Sequence, residues 1–145
     1  MTKDDTPVDP IRSRIMRSVK SSNTKPELIL RKALFAKGYR YFVNYKKLPG
    51  KPDIAFPRLS FAIFVNGCFW HRHNCSKATT PKTRIDFWND KFTKNIIRDR
   101  RNYNLIDALG WKYLVVWECD IYNNLSLVTD QVIFELEKRR STVSS

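Results

Sequence analysis

The sequence contains no apolar run of about eighteen residues or more, the length that a membrane-spanning helix requires. Its N-terminus, MTKDDTPVDPIRSR, also lacks the apolar core of a secretory signal. We therefore expect a soluble, intracellular protein. Internal repeats are absent too, and 145 residues suffice for one core of ordinary size but not comfortably for two. The sequence thus predicts a single domain, 1–145, with its core in 24–140.

Cysteine and histidine are scarce, and most of them are concentrated in one stretch. The chain has three cysteines and two histidines, and NGCFWHRHNC holds both histidines and two of the cysteines. Such a cluster in a reducing compartment binds metal more often than it forms disulfides. Cys68, His73, Cys75 and Cys119 could form a closed structural zinc site, although the sequence alone does not separate His73 from His71 as the nitrogen ligand. Three buried cysteines without metal are the alternative.

Acidic residues are also few. The chain has 27 lysines and arginines against 14 aspartates and glutamates, which gives a formal net charge of +13. Part of the positive charge is clustered in RSRIMRSVK and RDRRN. Clustered positive charge on a small protein is typical of contacts with phosphate groups. A nucleic acid is therefore the favoured partner, with a membrane surface or an acidic protein as alternatives.

The apolar periodicity predicts an α/β protein with elements in the order α, α, β, β, β, α, β, α. A basic helix or arm over about 1–20 comes first. Thr24 then caps a helix with Glu27 as its reciprocal capping partner, and Leu30 and Leu34 face inward. Strands are predicted in YRYFVNYK, DIAF and FAIFVN, followed by a long helix over 83–108. A fourth strand follows in WKYLVVWEC and a last helix in LSLVTDQVIFELEKRR, before a frayed STVSS end.

Asp99 lies where the long helix is predicted to be apolar. It falls on the stripe formed by Trp88, Phe92, Ile96, Tyr103 and Ile106. A bare buried carboxylate is costly, so Asp99 needs a partner. Either it pairs with Arg98, Arg101 or another arginine, or it orients a catalytic histidine. Glu27 is similarly ambiguous, because its capping role explains it without any chemistry.

Asp53 stands at the mouth of a strand in LPGKPDIAF. A carboxylate held there can bind a magnesium ion that neutralises a scissile phosphate, although a plain turn aspartate is the alternative. The preceding helix, the following strand and the positive charge reproduce the pattern of the PD-(D/E)xK nucleases. That group carries an acid and a lysine on the next strand, and FAIFVN has neither. A standard two-acid site is therefore excluded, and a histidine of FWHRH is the candidate for proton transfer.

Four segments together resemble the very short patch repair (Vsr) DNA mismatch endonucleases: LPGKPDIAF, NGCFWHRHNC, RIDFWNDKFTKNIIRDRRN and LGWKYLVVWECD. The resemblance extends from about Ile11 to Cys119, and GCFWHxHxC with a distant WEC is its most specific element. It implies a restriction-endonuclease-like fold, a mixed central sheet flanked by helices, with a structural zinc. It further implies a magnesium-dependent nick in duplex DNA, 5′ to the thymine of a T:G mismatch produced by deamination of 5-methylcytosine.

The resemblance also implies roles for individual residues. Asp53 matches the metal-binding catalytic aspartate and His71 the catalytic histidine. Val65 stands where relatives have a threonine whose backbone carbonyl reaches the magnesium, and Asn66 replaces a second histidine seen in some relatives. The zinc ligands correspond to Cys68, His73, Cys75 and Cys119, and the acids of the active-site surroundings to Glu27 and Asp99.

Several aromatic residues resemble a wedge that enters the DNA stack. Phe69 and Trp70 match its centre, Trp88 joins the cluster, and Met16 resembles a residue inserted from the opposite groove. A wobble pair stacks less well, so its deformability can report the mismatch. Plain helix packing is the alternative for Trp88. The DNA backbone would be held by RDRR and by basic residues of the N-terminal helix, Arg14 and Arg17.

The expected substrate is double-stranded DNA with a T:G mismatch, bound by a monomer. We expect a cytoplasmic, nucleoid-associated protein of a bacterium or phage, with no membrane partner and with mismatch-repair proteins as candidate partners. Two other functions fit the same residues. One is a zinc module that binds distorted DNA without cutting it, and the other is a nickase of a restriction or mobile-element system with another target.

Overall fold

A computed structural model describes residues 23–68 and 81–144, without the side chains of residues 143 and 144. The elements in chain order are helix α1 (Lys25–Ala36), strands β1 (Phe42–Val43) and β2 (Ile54–Phe56), a 3-10 turn (Pro57–Leu59), strand β3 (Phe61–Asn66), helix α2 (Ile85–Ala108), strand β4 (Lys112–Trp117), and helices α3 (Glu118–Asn123) and α4 (Leu125–Ser144). The predicted order is confirmed in these ranges, with α3 as an addition. No helix in them combines the length and the hydropathy needed to cross a membrane.

The four strands form one mixed sheet in the order β1-β2-β3-β4. The pairs β1/β2 and β2/β3 are antiparallel, whereas β3 and β4 run parallel, with Asn66 opposite Trp117 at their carboxyl ends. The apolar run FAIFVN is β3, and only Val65 in it is not fully buried. A continuous apolar run suits a strand that is covered on both faces. The predicted mixed α/β sheet and its central strand are confirmed.

The main core lies between one face of the sheet and helices α1, α3 and α4. Cross-strand pairs join Ile54 to Ile63 and Phe56 to Phe61, so these side chains share that face. The buried helix residues packed on them are Leu30, Leu34, Ile121, Val128, Val132 and Leu136. Helix α2 covers the other face, where the ring centroids of Tyr103 and Phe64 lie 5.1 Å apart. With both faces covered, the strand ends are left to form a site.

Helix α1 confirms the predicted inward face but not the predicted cap. Leu30 and Leu34 are completely buried. Thr24 Oγ1 donates to Glu27 Oε2 at 3.0 Å and does not accept a bond from the helix backbone. Glu27 Oε1 accepts the N–H of Asn23, at 2.9 Å, in place of the expected N–H of Thr24. The predicted reciprocal capping box is therefore wrong in its partners, because the buried Glu27 carboxylate is oriented by tertiary contacts as well.

Strand and helix limits differ from the predictions at two further places. The strand expected in YRYFVNYK is reduced to Phe42–Val43, since Asn44 has a left-handed backbone (φ +48°) that ends it. Helix α2 begins at Ile85, not at residue 83. Ile96, predicted to be inward, is 40% exposed, although Phe92 and Ile106 on either side of it along α2 are buried.

The C-terminal part departs from the predictions in two ways. Strand β4 ends at Trp117, so Cys119 lies in helix α3 and not at the end of a strand. Helix α4 continues to Ser144, through most of the segment that was expected to fray. The hydroxyl of Thr142 donates to the carbonyl of Lys138 at 3.1 Å, which gives the last turns a local partner.

Candidate active site

Asp53 lies at the entrance to β2 and is held there by main-chain contacts. The turn before it has left-handed backbone at Gly50 (φ +81°) and Lys51 (φ +48°), and the carbonyl of Asp53 accepts the N–H of Asn44 at 3.1 Å. Its Oδ2 accepts the N–H of Val65 at 2.6 Å. A charge-assisted bond from the neighbouring strand fixes the direction of a carboxylate. The predicted position of Asp53 at the mouth of a strand is confirmed.

Asp53 and Glu27 form a close pair of acids. The Glu27 side chain is 2% exposed, and Arg31 Nη2 lies 3.2 Å from its Oε1. Burial and then the charge of Glu27 raise the pKa of Asp53 to about 7, although the Val65 N–H and the charge of Arg31 act in the other direction. Two neighbouring carboxylates cannot both ionise without cost. A cation beside Asp53 would relieve that cost.

A cleft of about 220 Å³ opens between the start of β2, the end of β3 and helix α2. It brings together Asp53, Val65 and Asp99, which the sequence places far apart. The Asp99 side chain is 20% exposed, and its Oδ1 lies 3.8 Å from Arg98 Nη2. The predicted pairing with Arg98 is thus present. Glu27 approaches the same cleft from α1 through its contact with Asp53.

Gly50 allows the turn before Asp53 to close onto helix α2. A Cβ atom on Gly50 would lie 3.2 Å from Asn102 Cβ and 3.2 Å from Phe64 Cε1. Real Cβ atoms rarely approach other groups so closely, and positive φ is itself costly for other residues. Glycine at this position therefore sets the distance between the Asp53 turn and the helix that carries Asp99.

Three cleft residues with polar side chains were not predicted as site residues: Lys51, Asn102 and Tyr103. Asn102 and Tyr103 follow Asp99 by three and four positions on α2, so they share its helix face. That spacing could have identified both of them. No pattern in the sequence signals that Lys51 lines the cleft, because this depends on how the turn closes.

Tyr103 is held in the cleft by a polar and an aromatic contact. Asn66, which is buried at the end of β3, donates from Nδ2 to the Tyr103 hydroxyl at 3.3 Å. The ring stacks on Tyr113 with centroids 4.7 Å apart. Burial raises the pKa of Tyr103 to about 12, although the bond from Asn66 lowers it. The phenol is therefore protonated at neutral pH.

The donor atoms around Asp53 suit magnesium. Among residues 23–68 and 81–144, no three His, Cys, Asp or Glu side chains form a metal-binding group. Magnesium commonly uses only one or two carboxylates and takes its other ligands from water and substrate phosphates. The N–H and C=O of a strand residue point to the same side, so the carbonyl of Val65 is directed to the side on which its N–H meets Asp53. Asp53 and this carbonyl are the candidate protein ligands.

Two of the four predicted zinc ligands lie just beyond the carboxyl ends of β3 and β4. Asn66 and Trp117 are paired at the ends of β3 and β4. Cys68 comes two positions after Asn66, and Cys119 comes two positions after Trp117. Both are buried and neither forms a disulfide, and the N–H of Cys68 donates to Glu118 Oε1 at 2.9 Å. His73 and Cys75 are outside the described residues. The zinc site is therefore still a prediction, and two of its four ligands follow the ends of adjacent strands.

The residues predicted to contact DNA are only partly within the described ranges. Trp88 is half-buried, and its ring stacks on Phe92 with centroids 6.0 Å apart, which supports the helix-packing alternative. Arg98, Arg100 and Arg101 of the RDRR segment are exposed on α2. The other predicted residues lie outside the described part: Arg14, Met16, Arg17, Phe69, Trp70 and His71.

Comparison with known proteins gives concordant matches. The family described as DNA mismatch endonuclease Vsr matches residues 5–77. The chain is 45% identical over 112 residues to the type II nicking enzyme V.NmeAIP of Neisseria meningitidis, covering 77% of this chain and 80% of the relative. It is 44% identical over 110 residues to V.XorIIP of Xanthomonas oryzae, covering 76% and 81%. It is 37% identical over 127 residues to the DNA mismatch endonuclease Vsr of Escherichia coli, covering 88% and 81%.

The mixed sheet, the cleft at its strand ends that holds Asp53 and Asp99, and these matches define a DNA endonuclease. The chain belongs to the Vsr family of DNA mismatch endonucleases. Its substrate is therefore DNA, and the predicted module that binds without cutting is not supported. The restriction-endonuclease-like fold agrees with this family and with the observed sheet.

Proposed function

We propose that this endonuclease nicks duplex DNA 5′ to the thymine of a T:G mismatch that arises from deamination of 5-methylcytosine, by magnesium-dependent hydrolysis. The observation that carries the proposal is the cleft in which Asp53, fixed by the Val65 N–H, lies with Asp99 beside the exposed arginines of α2. Acids that can bind a metal, next to cations that can bind phosphate, suit cleavage of a phosphodiester. The names of the matched family and of the E. coli relative support a mismatch as the target.

We assign the chemical roles to residues of the cleft and to His71, which lies outside the described residues. Asp53 and the carbonyl of Val65 would hold magnesium together with a phosphate oxygen of the DNA. When bound, this ion would neutralise charge at the scissile phosphate and make water a better nucleophile. His71 would transfer a proton to or from the attacking water, with Asp99 orienting it. Glu27, paired with Arg31, would hold negative charge beside Asp53 and so favour the cation.

Recognition would depend mainly on residues outside the described ranges. Phe69 and Trp70 would open the stack at the mismatch, with Trp88 beside them and Met16 entering from the opposite groove. Arg14 and Arg17 would bind the backbone. A zinc held by Cys68, His73, Cys75 and Cys119 would keep the Phe69–His71 segment at a fixed distance from Asp53, within one domain that acts as a monomer.

A second candidate keeps the nickase and changes its target. Several relatives bear the name type II nicking enzyme, including the two that are 45% and 44% identical to this chain. The described cleft serves either target, because its chemistry acts on the phosphodiester and not on a base. The two proposals therefore differ in the recognition residues and not in Asp53.

A nicking panel tests the proposal and separates it from its rival. End-labelled duplexes with T:G, every other mismatch and the matched T:A pair would be incubated in several sequence contexts, with and without magnesium. We expect a nick 5′ to the thymine only with T:G and only with magnesium. Equal cutting of T:A and T:G would contradict the mismatch target, and cutting in the presence of a chelator would contradict the magnesium requirement.

A further inference from the structure

We propose that the hydroxyl of Tyr103 donates a hydrogen bond to a non-bridging oxygen of the scissile phosphate, and that Asn66 is the residue that positions this hydroxyl. The inference rests on the proposed function, because it takes the cleft beside Asp53 as the place of cleavage. It adds a substrate contact that neither a PD-(D/E)xK pattern nor the resemblance described above assigns to this chain.

The phenol of Tyr103 accepts a hydrogen bond from Asn66. A phenol has one proton to donate and oxygen lone pairs that accept. The bond at 3.3 Å uses a lone pair, because the amide Nδ2 of Asn66 can only donate. In the described part of the chain, the O–H of Tyr103 has no acceptor. Its proton is therefore available for a group that enters the cleft.

The surroundings of the hydroxyl indicate what that group would be. Tyr103 lines the cleft with Asp53 and Asp99, and the charges of both carboxylates act on the phenol. Lys51 and Arg98 line the same cleft and add positive charge. A ligand that meets two cations and a neutral O–H donor, beside a carboxylate that would hold a metal, must present several acceptor oxygens, as a phosphodiester does.

The ring is held so that its direction is fixed before substrate binds. It stacks on Tyr113 at 4.7 Å and 15°, and meets Phe64 edge-on at 5.1 Å and 67°. Asn66 is itself buried, with 7% exposure, at the end of the central strand. A donor that is already oriented costs little reorganisation during the reaction. Asn66 thus has a structural reason to be an amide here, since an amide donates at every pH.

The first test compares two tyrosines of the same aromatic stack. Tyr103→Phe removes the proposed donor and keeps the ring, whereas Tyr113→Phe removes a hydroxyl that does not line the cleft. We expect Tyr103→Phe to lower the single-turnover nicking rate by roughly tenfold to hundredfold with T:G binding within about threefold of wild type. Tyr113→Phe should nick at the wild-type rate. Retained DNA binding shows that the Tyr103→Phe protein is folded.

The second test asks which atom receives the bond. Sulfur accepts hydrogen bonds weakly, so a phosphorothioate at the scissile position, used as each separated diastereomer, weakens one contact at a time. We expect one diastereomer to slow wild type more than it slows Tyr103→Phe, by roughly tenfold, while the other slows both proteins equally. Asn66 acts through Tyr103. Asn66→Leu should therefore reduce the difference between the effects of the two diastereomers when it is introduced into wild type, and should leave their effects unchanged when it is added to Tyr103→Phe.

Two outcomes would overturn the inference. One is nicking by Tyr103→Phe at the wild-type rate, and the other is a slower Tyr103→Phe whose two phosphorothioate effects equal those of wild type. The measurements use whichever duplex the wild-type protein cuts. If that duplex is not T:G, the proposed target is wrong, and the contact to phosphate is still tested on the duplex that is cut.

Discussion

The main-chain N–H of Val65 donates to Oδ2 of Asp53 at 2.6 Å, across the junction of β2 and β3. The bond fixes the direction of the Asp53 carboxylate, which also has the Glu27 side chain as a polar neighbour. It also places the Val65 carbonyl on the same side as Asp53. The turn into β2 and the end of β3 are thereby joined at Asp53 before any substrate is present.

The raised pKa of Asp53 predicts a specific dependence of stability on pH. An unfolded aspartate ionises near 3.8 and Asp53 in the folded state near 7, so between these values the folded state keeps a proton that the unfolded state has lost. The free energy of unfolding should therefore fall as the pH rises from about 4 to about 7, by at most about 4 kcal/mol, and be independent of this group above that range.

Urea unfolding in buffers without divalent metal, at several pH values, measures this slope. Asp53→Asn removes the titrating group and should flatten that part of the curve, whereas Asp90→Asn, at an exposed acid on α2, should leave it unchanged. Identical curves for wild type and Asp53→Asn would contradict the assigned environment of Asp53.

Gly50 and Gly110 give a matched test of what determines the width of the cleft. Gly50→Ala adds a Cβ that would meet Asn102 and Phe64 at 3.2 Å, and Gly110→Ala adds one that meets nothing within 4 Å at a similar φ of +85°. We expect Gly110→Ala to cost about 1 kcal/mol from backbone strain, and Gly50→Ala about 1–3 kcal/mol more from overpacking. Only Gly50→Ala should also slow nicking. Equal costs for the two variants would show that the turn does not pack on α2 as described.

Two ion pairs with the same helical spacing should differ in strength. Arg31 pairs with Glu27, with side-chain exposures of 11% and 2%, while Lys94 pairs with Asp90 at 75% and 64%. Arg31→Met leaves a buried carboxylate without its cation and should cost about 3–5 kcal/mol of unfolding free energy. Lys94→Met should cost no more than about 0.5 kcal/mol. Chemical denaturation measures both, and a cost below 1 kcal/mol for Arg31→Met would contradict the buried pair.

The proposed zinc site predicts a loss of recognition and cleavage together. Purified protein should contain about one zinc ion per chain, and Cys119→Ser should lose it, since three ligands remain in place of four. Removal of zinc by a chelator, followed by excess magnesium, should abolish both T:G binding and nicking. Metal analysis, gel shift and nicking of one preparation decide this. Full activity of the zinc-free protein would show that the three cysteines have another role.

The sequence predicted the features that depend on local pattern. Leu30 and Leu34 are buried as the helical spacing indicated, and the apolar run of β3 is the covered central strand. Asp53 is at a strand mouth because the turn residues before it fix where β2 begins. These features are set by periodicity of 3.6 or 2 residues and by turn chemistry, which neighbouring residues determine.

The predictions failed where distant parts of the chain decide the structure. Glu27 lies against Asp53, and this contact depends on how α1 packs on the sheet. Cys119 lies in α3 because the chain turns into a helix as soon as β4 ends. The contact between Asn66 and Tyr103 joins residues from a strand and a helix, and periodicity along either one does not reveal it.

The central claim is that the cleft around Asp53 is where DNA is cut, and Asp53→Asn tests it most directly. The variant keeps the shape of the side chain and removes its charge, and Asp90→Asn serves as the matched control on the exposed part of α2. Single-turnover nicking of a T:G duplex with magnesium and the affinity for the same duplex would be measured for both. We predict that Asp53→Asn loses nicking by at least about a thousandfold with binding changed by no more than about threefold, while Asp90→Asn matches wild type in both. Nicking by Asp53→Asn within about tenfold of wild type would contradict the claim.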